Sequence, residues 1–126
     1  MSISNIESFK VASTLAAHRI VYVSAAETVA YGDTVTNFPI GITQDTVLDT
    51  TMSIPVKTNG LSFLEFNDSV SAGGLIGCDA NGKGIPFAGV ASTTCFAIGI
   101  LVGSKVNTTG TVAQVLISPI TKYATT

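Results

Sequence analysis

The stretch Phe38-Pro39-Ile40-Gly41-Ile42 limits what this chain can fold into more than any other, because its core returns as Phe96-Ala97-Ile98-Gly99-Ile100. A glycine held between apolar residues in a short run marks a buried strand in which one position lacks a side chain, so that another backbone can come close. Two copies imply two related β units. Val29-x-x-Gly32-x-x-Val35 precedes the first copy and Val70-x-x-Gly73-x-x-Ile76 the second, while Thr50-Thr51 and Thr108-Thr109 follow ten residues after Ile40 and Ile98. Upstream the second copy is longer, by the loop around Asn81-Gly82-Lys83-Gly84. A degenerate internal duplication accounts for this pattern; the alternative is chance likeness among low-complexity strand-turn sequences.

At 126 residues the chain fits one domain, able to bury about two-thirds of its unfolded surface and to fold without a metal or a disulfide. No cofactor is called for. Only 11% of residues are charged, while 12 Ser and 17 Thr supply much of the polar surface. With 46% hydrophobic residues and a mean hydropathy of +0.51, a lone monomer would expose much apolar area, which points to cover by other copies or a partner. The basic residues Lys10, Arg19, Lys57, Lys83, Lys105 and Lys122 are scattered. They form no patch to neutralise a row of phosphates, so nucleic acid is not an expected partner. The longest apolar run, about Cys95 to Val102, is far short of a membrane span, and Met1 to Lys10 lacks the pattern of a signal peptide. Synthesis in the cytosol and no membrane partner are the expectations. Cys78 and Cys95 lie in apolar surroundings, where buried free thiols are expected and a disulfide is the alternative.

Along the chain, residues 1–9 read as an N-terminal arm, 10–119 as a single β domain and 120–126 as a tail. Ile3, Ile6 and Phe9 are the apolar residues of the arm. A loose terminus gains nothing from such side chains, whereas an arm that orders on a partner uses them as anchors. Val11, Leu15 and Ile20-Val21-Tyr22-Val23 suggest one or two strands. A short helix over Ser13 to His18 is the alternative for part of this stretch, too short to be stable alone. Ala30-Tyr31-Gly32-Asp33 offers turn chemistry. Met52 to Thr58 and Leu61 to Phe66 alternate, and Asn59-Gly60 between them suits a type I′ turn, so a hairpin is predicted here. Pro55 places the first strand of that hairpin at a sheet edge. Short strands follow around Leu75-Ile76 and Ile85-Pro86-Phe87, and a last one over Thr111 to Ser118 is stopped by Pro119. This is the pattern of an all-β fold: a small sandwich or barrel of short antiparallel strands.

No arrangement for catalysis emerges. His18 is the single histidine, and a core-edge or surface histidine is the simpler reading than a ligand or base. Asp79-Ala80-Asn81-Gly82-Lys83-Gly84 begins like a calcium loop but carries a lysine and no downstream glutamate, so a turn is expected. Gly-x-Ser-x-Gly is absent, and neither Cys78 nor Cys95 has a motif around it. Pairs such as Asp45 with Asp49 or Glu65 with Asp68 lie at turns and strand ends, where solvated carboxylates are ordinary. Six Phe, three Tyr and no Trp make a stacking platform for sugars or bases a poor fit. The expectation is a protein that is not an enzyme and takes no small-molecule substrate.

Taken together, these segments resemble the small capsid decoration, or cement, proteins of tailed bacteriophages. The likeness rests on Pro39-Ile40-Gly41-Ile42, on Ile54-Pro55-Val56-Lys57-Thr58-Asn59-Gly60, and on Ser71-Ala72-Gly73-Gly74-Leu75-Ile76 leading into Asp79-x-Asn81-Gly82-Lys83-Gly84. It continues through Ala97-Ile98-Gly99-Ile100-Leu101 and Ala113-Gln114-Val115-Leu116-Ile117-Ser118-Pro119, and so covers roughly residues 10 to 119. The resemblance implies a β-rich homotrimer on the outer surface of the virion, with the major capsid protein as partner. Met1 to Ser8 matches no motif of that family, so Ile3, Ile6 and Phe9 as capsid anchors are a separate expectation. A spike-base or fibre-attachment β domain is the alternative role, and a small carbohydrate-binding module a further one.

Overall fold

The computed structural model of the chain describes residues 6–32, 35–90, 92–103 and 110–124. It contains ten strands: β1 (Ile6–Val11), β2 (Ile20–Ala25), β3 (Thr28–Tyr31), β4 (Gly41–Thr43), β5 (Ser53–Lys57), β6 (Gly60–Glu65), β7 (Leu75–Cys78), β8 (Gly84–Pro86), β9 (Thr93–Leu101) and β10 (Val112–Ala124). The first five close into a barrel in the order β1-β3-β2-β4-β5, and the last five form a sheet in the order β6-β10-β9-β7-β8. The all-β expectation holds, and no helix forms over Ser13 to His18. Leu15 there makes an isolated bridge with Val47.

The two sheets have one topology. Read from β8, the second runs β8-β7-β9-β10-β6, which is the first read as β3-β2-β4-β5-β1. The registers agree as well. Gly41 lies opposite Val21 and Gly99 opposite Ile76; Ile42 lies opposite Ile20 and Lys57, and Ile100 opposite Leu75 and Leu116. Lys57 pairs with Ile6 as Leu116 pairs with Leu61. The parallel contact of Val11 with Val29 returns as the bridge of Phe66 with Gly84. The offset between units is constant from β1 to β3, grows by three residues before β4, and grows by one more before β5. The Ile-Gly-Ile copies are therefore structural equivalents, whereas the upstream match of Val29 to Val70 is not, because β3 corresponds to β8.

The reason for the glycines is visible at both positions. A Cβ on Gly41 would overlap the carbonyl oxygen of Lys57, and one on Gly99 would overlap that of Leu116. The neighbouring strand crosses where the side chain would be. The leading phenylalanines of the two motifs also meet, Phe38 and Phe96 packing edge to face with centroids 5.1 Å apart.

Four local expectations differ from the structure. Asn59-Gly60 does not close a hairpin: β5 pairs with β1 and β4, and β6 pairs with β10, so this turn carries the chain from one unit to the next. Gly60 keeps the left-handed conformation (φ 84°) that made it look like a hairpin turn. Pro55 is not on an edge, since β5 has a neighbour on each side. Its carbonyl accepts the Gln44 N–H at 2.9 Å just beyond the end of β4, and its missing donor points the same way, where the ladder has stopped. Ala30-Tyr31 is strand; the tight turn lies earlier, at Ala26-Glu27, with Glu27 left-handed (φ 55°). Pro119 does not end β10, which shifts register between Ile117 and Ile120 and pairs on with β9 as far as Ala124. The bulge removes the need for a proline donor. The chain is thus regular strand through Ile6 to Phe9 and Ile120 to Ala124, segments that the sequence suggests as arm and tail.

The loop before β5 shows what the Thr-Thr pair does in its first copy. The Asp49 carboxylate accepts the Thr51 N–H at 2.9 Å and the Thr51 hydroxyl at 2.8 Å, which holds the carboxyl below its ordinary pKa of 3.8. A lowered carboxyl pKa favours the folded loop above the ordinary value, and that contribution disappears as pH falls through the lowered one. Thr51→Val should return the Asp49 titration, followed by NMR, towards the ordinary value. Thr108-Thr109 lies outside the described residues.

Candidate functional site

The interior of the first unit is Val11, Leu15, Val21, Val29, Val47, Ile54 and Val56. The second unit's core holds Leu64, Phe66, Val70, Ile76, Ile98, Leu101, Val115 and Ile117, and it also takes Ile20 and Ile42 from the first. These two point out of the barrel and into the second unit. The entry is a gap beside β6. In the first unit Lys10 N–H reaches Glu27 O directly, at 2.8 Å, and closes the seam between β1 and β3. In the second unit a segment of the first stands between the corresponding residues: Glu65 N–H donates to His18 O at 2.9 Å and Ile20 N–H to Gly82 O at 2.7 Å.

Charged groups line this joint. Arg19 lies 3.3 Å from one oxygen of Glu65 and Lys83 3.3 Å from the other, with Arg19 also 5.5 Å from the Tyr31 ring and bonded to Asn81 O at 3.1 Å. Partly shielded pairs of this kind fix geometry more than they add stability. His18, left-handed at φ 63°, packs against Phe63 at 6.5 Å. It belongs to the joint.

Asp79 Oδ1 accepts the N–H groups of Asn81 at 2.8 Å and Lys83 at 2.9 Å, so this carboxylate closes a turn. Cys78 and Cys95 are buried and lie outside any disulfide. Among the described residues no three of His, Cys, Asp and Glu gather to hold a metal. Ile6 is exposed on β1 opposite Lys57, and Phe9, opposite Ile54, packs half-buried against the barrel interior. Ile3 lies outside the described residues.

What the sequence does not single out is a row across the outer face of the second sheet. Leu61, Leu116, Ile100 and Leu75 lie side by side on β6, β10, β9 and β7. Residues directly opposite each other share a face. Leu61 and Leu116 are 41% and 36% exposed, and Phe63, Val112 and Val102 extend the apolar area on one side of the row. Ser62, Leu64, Val115 and Ile117 alternate with them towards the core. Apolar residues at both phases of β6 and β10 are the sequence signal for a strand covered on both sides.

The fold is a tandem of two five-stranded β units, the second of which carries an exposed apolar row on its outer face. No family profile and no curated protein sequence matches the chain. Among solved structures it is similar in fold to the head fibre gp8.5 N base of bacteriophage phi29, with a TM-score of 0.70 at 14% identity, over 92% of this chain and 95% of that one.

Proposed function

We propose that this protein is a structural, non-catalytic part of a phage virion that seats on the outer surface of the head as the base of an appendage. The observation that carries the reading is the fold likeness to a head fibre base along almost the whole chain. The sparse charge and the apolar face of the second unit support it, since both suit a subunit covered by copies of itself and by the major capsid protein. Several attached copies, three in the homotrimer that the sequence resemblance implies, would give avidity without one strong site. The second reading, a cement protein that clamps capsomers, rests on the sequence motifs shared with decoration proteins.

Shells prepared without the protein separate the two readings. A base binds at defined positions and leaves the temperature of shell breakage unchanged, whereas cement raises it. Failure to co-sediment with shells would reject both. Deleting residues 1 to 8 is an unsuitable test of the N-terminal anchors, because it removes half of β1 and three of its five pairs with β5. Ile6→Asp, at a side chain 55% exposed, is the better one. If Ile6 is an anchor, shell binding should fall at least tenfold with the melting temperature unchanged; unaltered binding removes Ile6 from the contact.

A further inference from the structure

The joint between the two units is one-sided. Ile20 and Ile42 of the first unit are covered by the second, but their equivalents Leu75 and Ile100 are covered by nothing among the described residues and stay half-exposed. A two-fold relation would bury both pairs. A contact between unlike faces of like units instead leaves one face of each kind unused, and further copies satisfy it.

The unused corner is built like the one already in use. His18 and Gly73 are both left-handed, at φ 63° and 78°. His18 N–H donates to Thr43 O at 2.9 Å and Gly73 N–H to Leu101 O at 2.7 Å; Thr43 N–H donates to Arg19 O at 2.9 Å and Leu101 N–H to Gly74 O at 3.1 Å. Gly32 N–H reaches Ile20 O at 3.0 Å as Phe87 N–H reaches Leu75 O at 3.1 Å. Two groups differ. His18 O and Ile20 N–H are bonded to the second unit, whereas no bond between the units reaches Gly73 O or Leu75 N–H.

The opposite face is present too. On the first unit, the positions that correspond to the mouth of the second form an open depression of about 430 Å³ lined by Glu7, Ser8, Phe9, Lys10, Glu27 and Ser53. Lys10 corresponds to Glu65 and Glu27 to Gly82, and Glu27 shares the left-handed turn of Gly82 (φ 55° and 74°). We infer that copies of this protein associate head to tail, the Gly73–Leu75 corner and the Leu75–Ile100 end of the apolar row in one copy resting on the Glu7–Lys10 and Glu27 depression of the next.

This contact is shallower than the joint inside the chain. The Lys10–Glu27 backbone bond closes the seam, and Glu27 carries a side chain where Gly82 has none, so the second copy's corner rests on the rim instead of entering it. The Lys10 ammonium and the Glu27 carboxylate offer a donor for Gly73 O and an acceptor for Leu75 N–H. Gly74 replaces Arg19 at the corner, which removes the ion pair that locks the inner joint, so association is reversible and depends on concentration.

Sedimentation velocity on the isolated protein tests this without any shell, so its outcome is separate from that of the head-surface reading. The protein should associate as concentration rises. Leu75→Lys on one face and Glu27→Lys on the other should each weaken association at least tenfold with unchanged melting, and Ile100→Lys serves if Leu75→Lys does not fold. Mixed, the two variants should form a one-to-one pair, because each keeps the face that the other has lost. A protein that stays single throughout, variants that associate like the parent, or a mixture that does not pair would each overturn the proposal. The last is the result of a row-on-row contact.

Discussion

Gly99→Ala should destabilise the protein by at least ~3 kcal/mol, the upper end of the range for overpacking, because the obstacle is backbone and cannot turn aside. The added methyl would occupy the place of the Leu116 carbonyl, and further backbone, the Ser118 nitrogen, lies 3.0 Å from it. β9 and β10 could accept it only by separating, and with them goes the longest ladder in the molecule. Gly73→Ala is the control. A Cβ there meets nothing within 4 Å, but the backbone is left-handed at φ 78°, so its cost is that of conformation alone, about 1–2 kcal/mol. Urea unfolding of both variants measures the difference; equal losses would show that glycine serves backbone conformation at both places and that close approach is irrelevant.

Ile20→Ala should cost about 2–5 kcal/mol, the usual range for emptying a fully buried site. Ile20 is 1% exposed and sits on a strand of the first unit, yet it packs in the core of the second. Its loss should therefore lower the stability of both units in one transition. A double-mutant cycle with Phe66→Leu should show coupling, as for residues sharing one cavity. Two separate transitions in the Ile20→Ala protein, with only the first unit affected, would contradict a common core.

The Ile-Gly-Ile copies were legible because a glycine between apolar neighbours in a strand costs packing and is kept where a second backbone needs the space, and their register confirms the duplication. The upstream half of the match was not, because β3 and β8 carry the correspondence with different residues: Val29 fills space in one unit, and Gly84 leaves room for Phe66 in the other. Asn59-Gly60 shows a limit of another kind. The residues state a left-handed turn, but whether the strands on either side pair is decided by competing partners, here β1 and β4 for β5 and β10 for β6. Pro55 and Pro119 were misleading for the same reason, since a missing donor matters only where a neighbour offers an acceptor. The Ala26-Glu27 turn left no signal, because neither residue favours positive φ and the hairpin imposes it on Glu27.

By itself the sequence determined the class of structure: short strands from alternation and β-branching, two units from the repeated motif, and a sparsely charged, apolar-rich composition. These are local properties, set by each residue and its near neighbours. Only the tertiary structure decided which strands pair, that Ile20 and Ile42 belong to the other unit's core, and that no described residue covers Leu75 and Ile100. Those outcomes depend on which of several chemically similar apolar faces meet, and that is settled by the geometry of the whole chain.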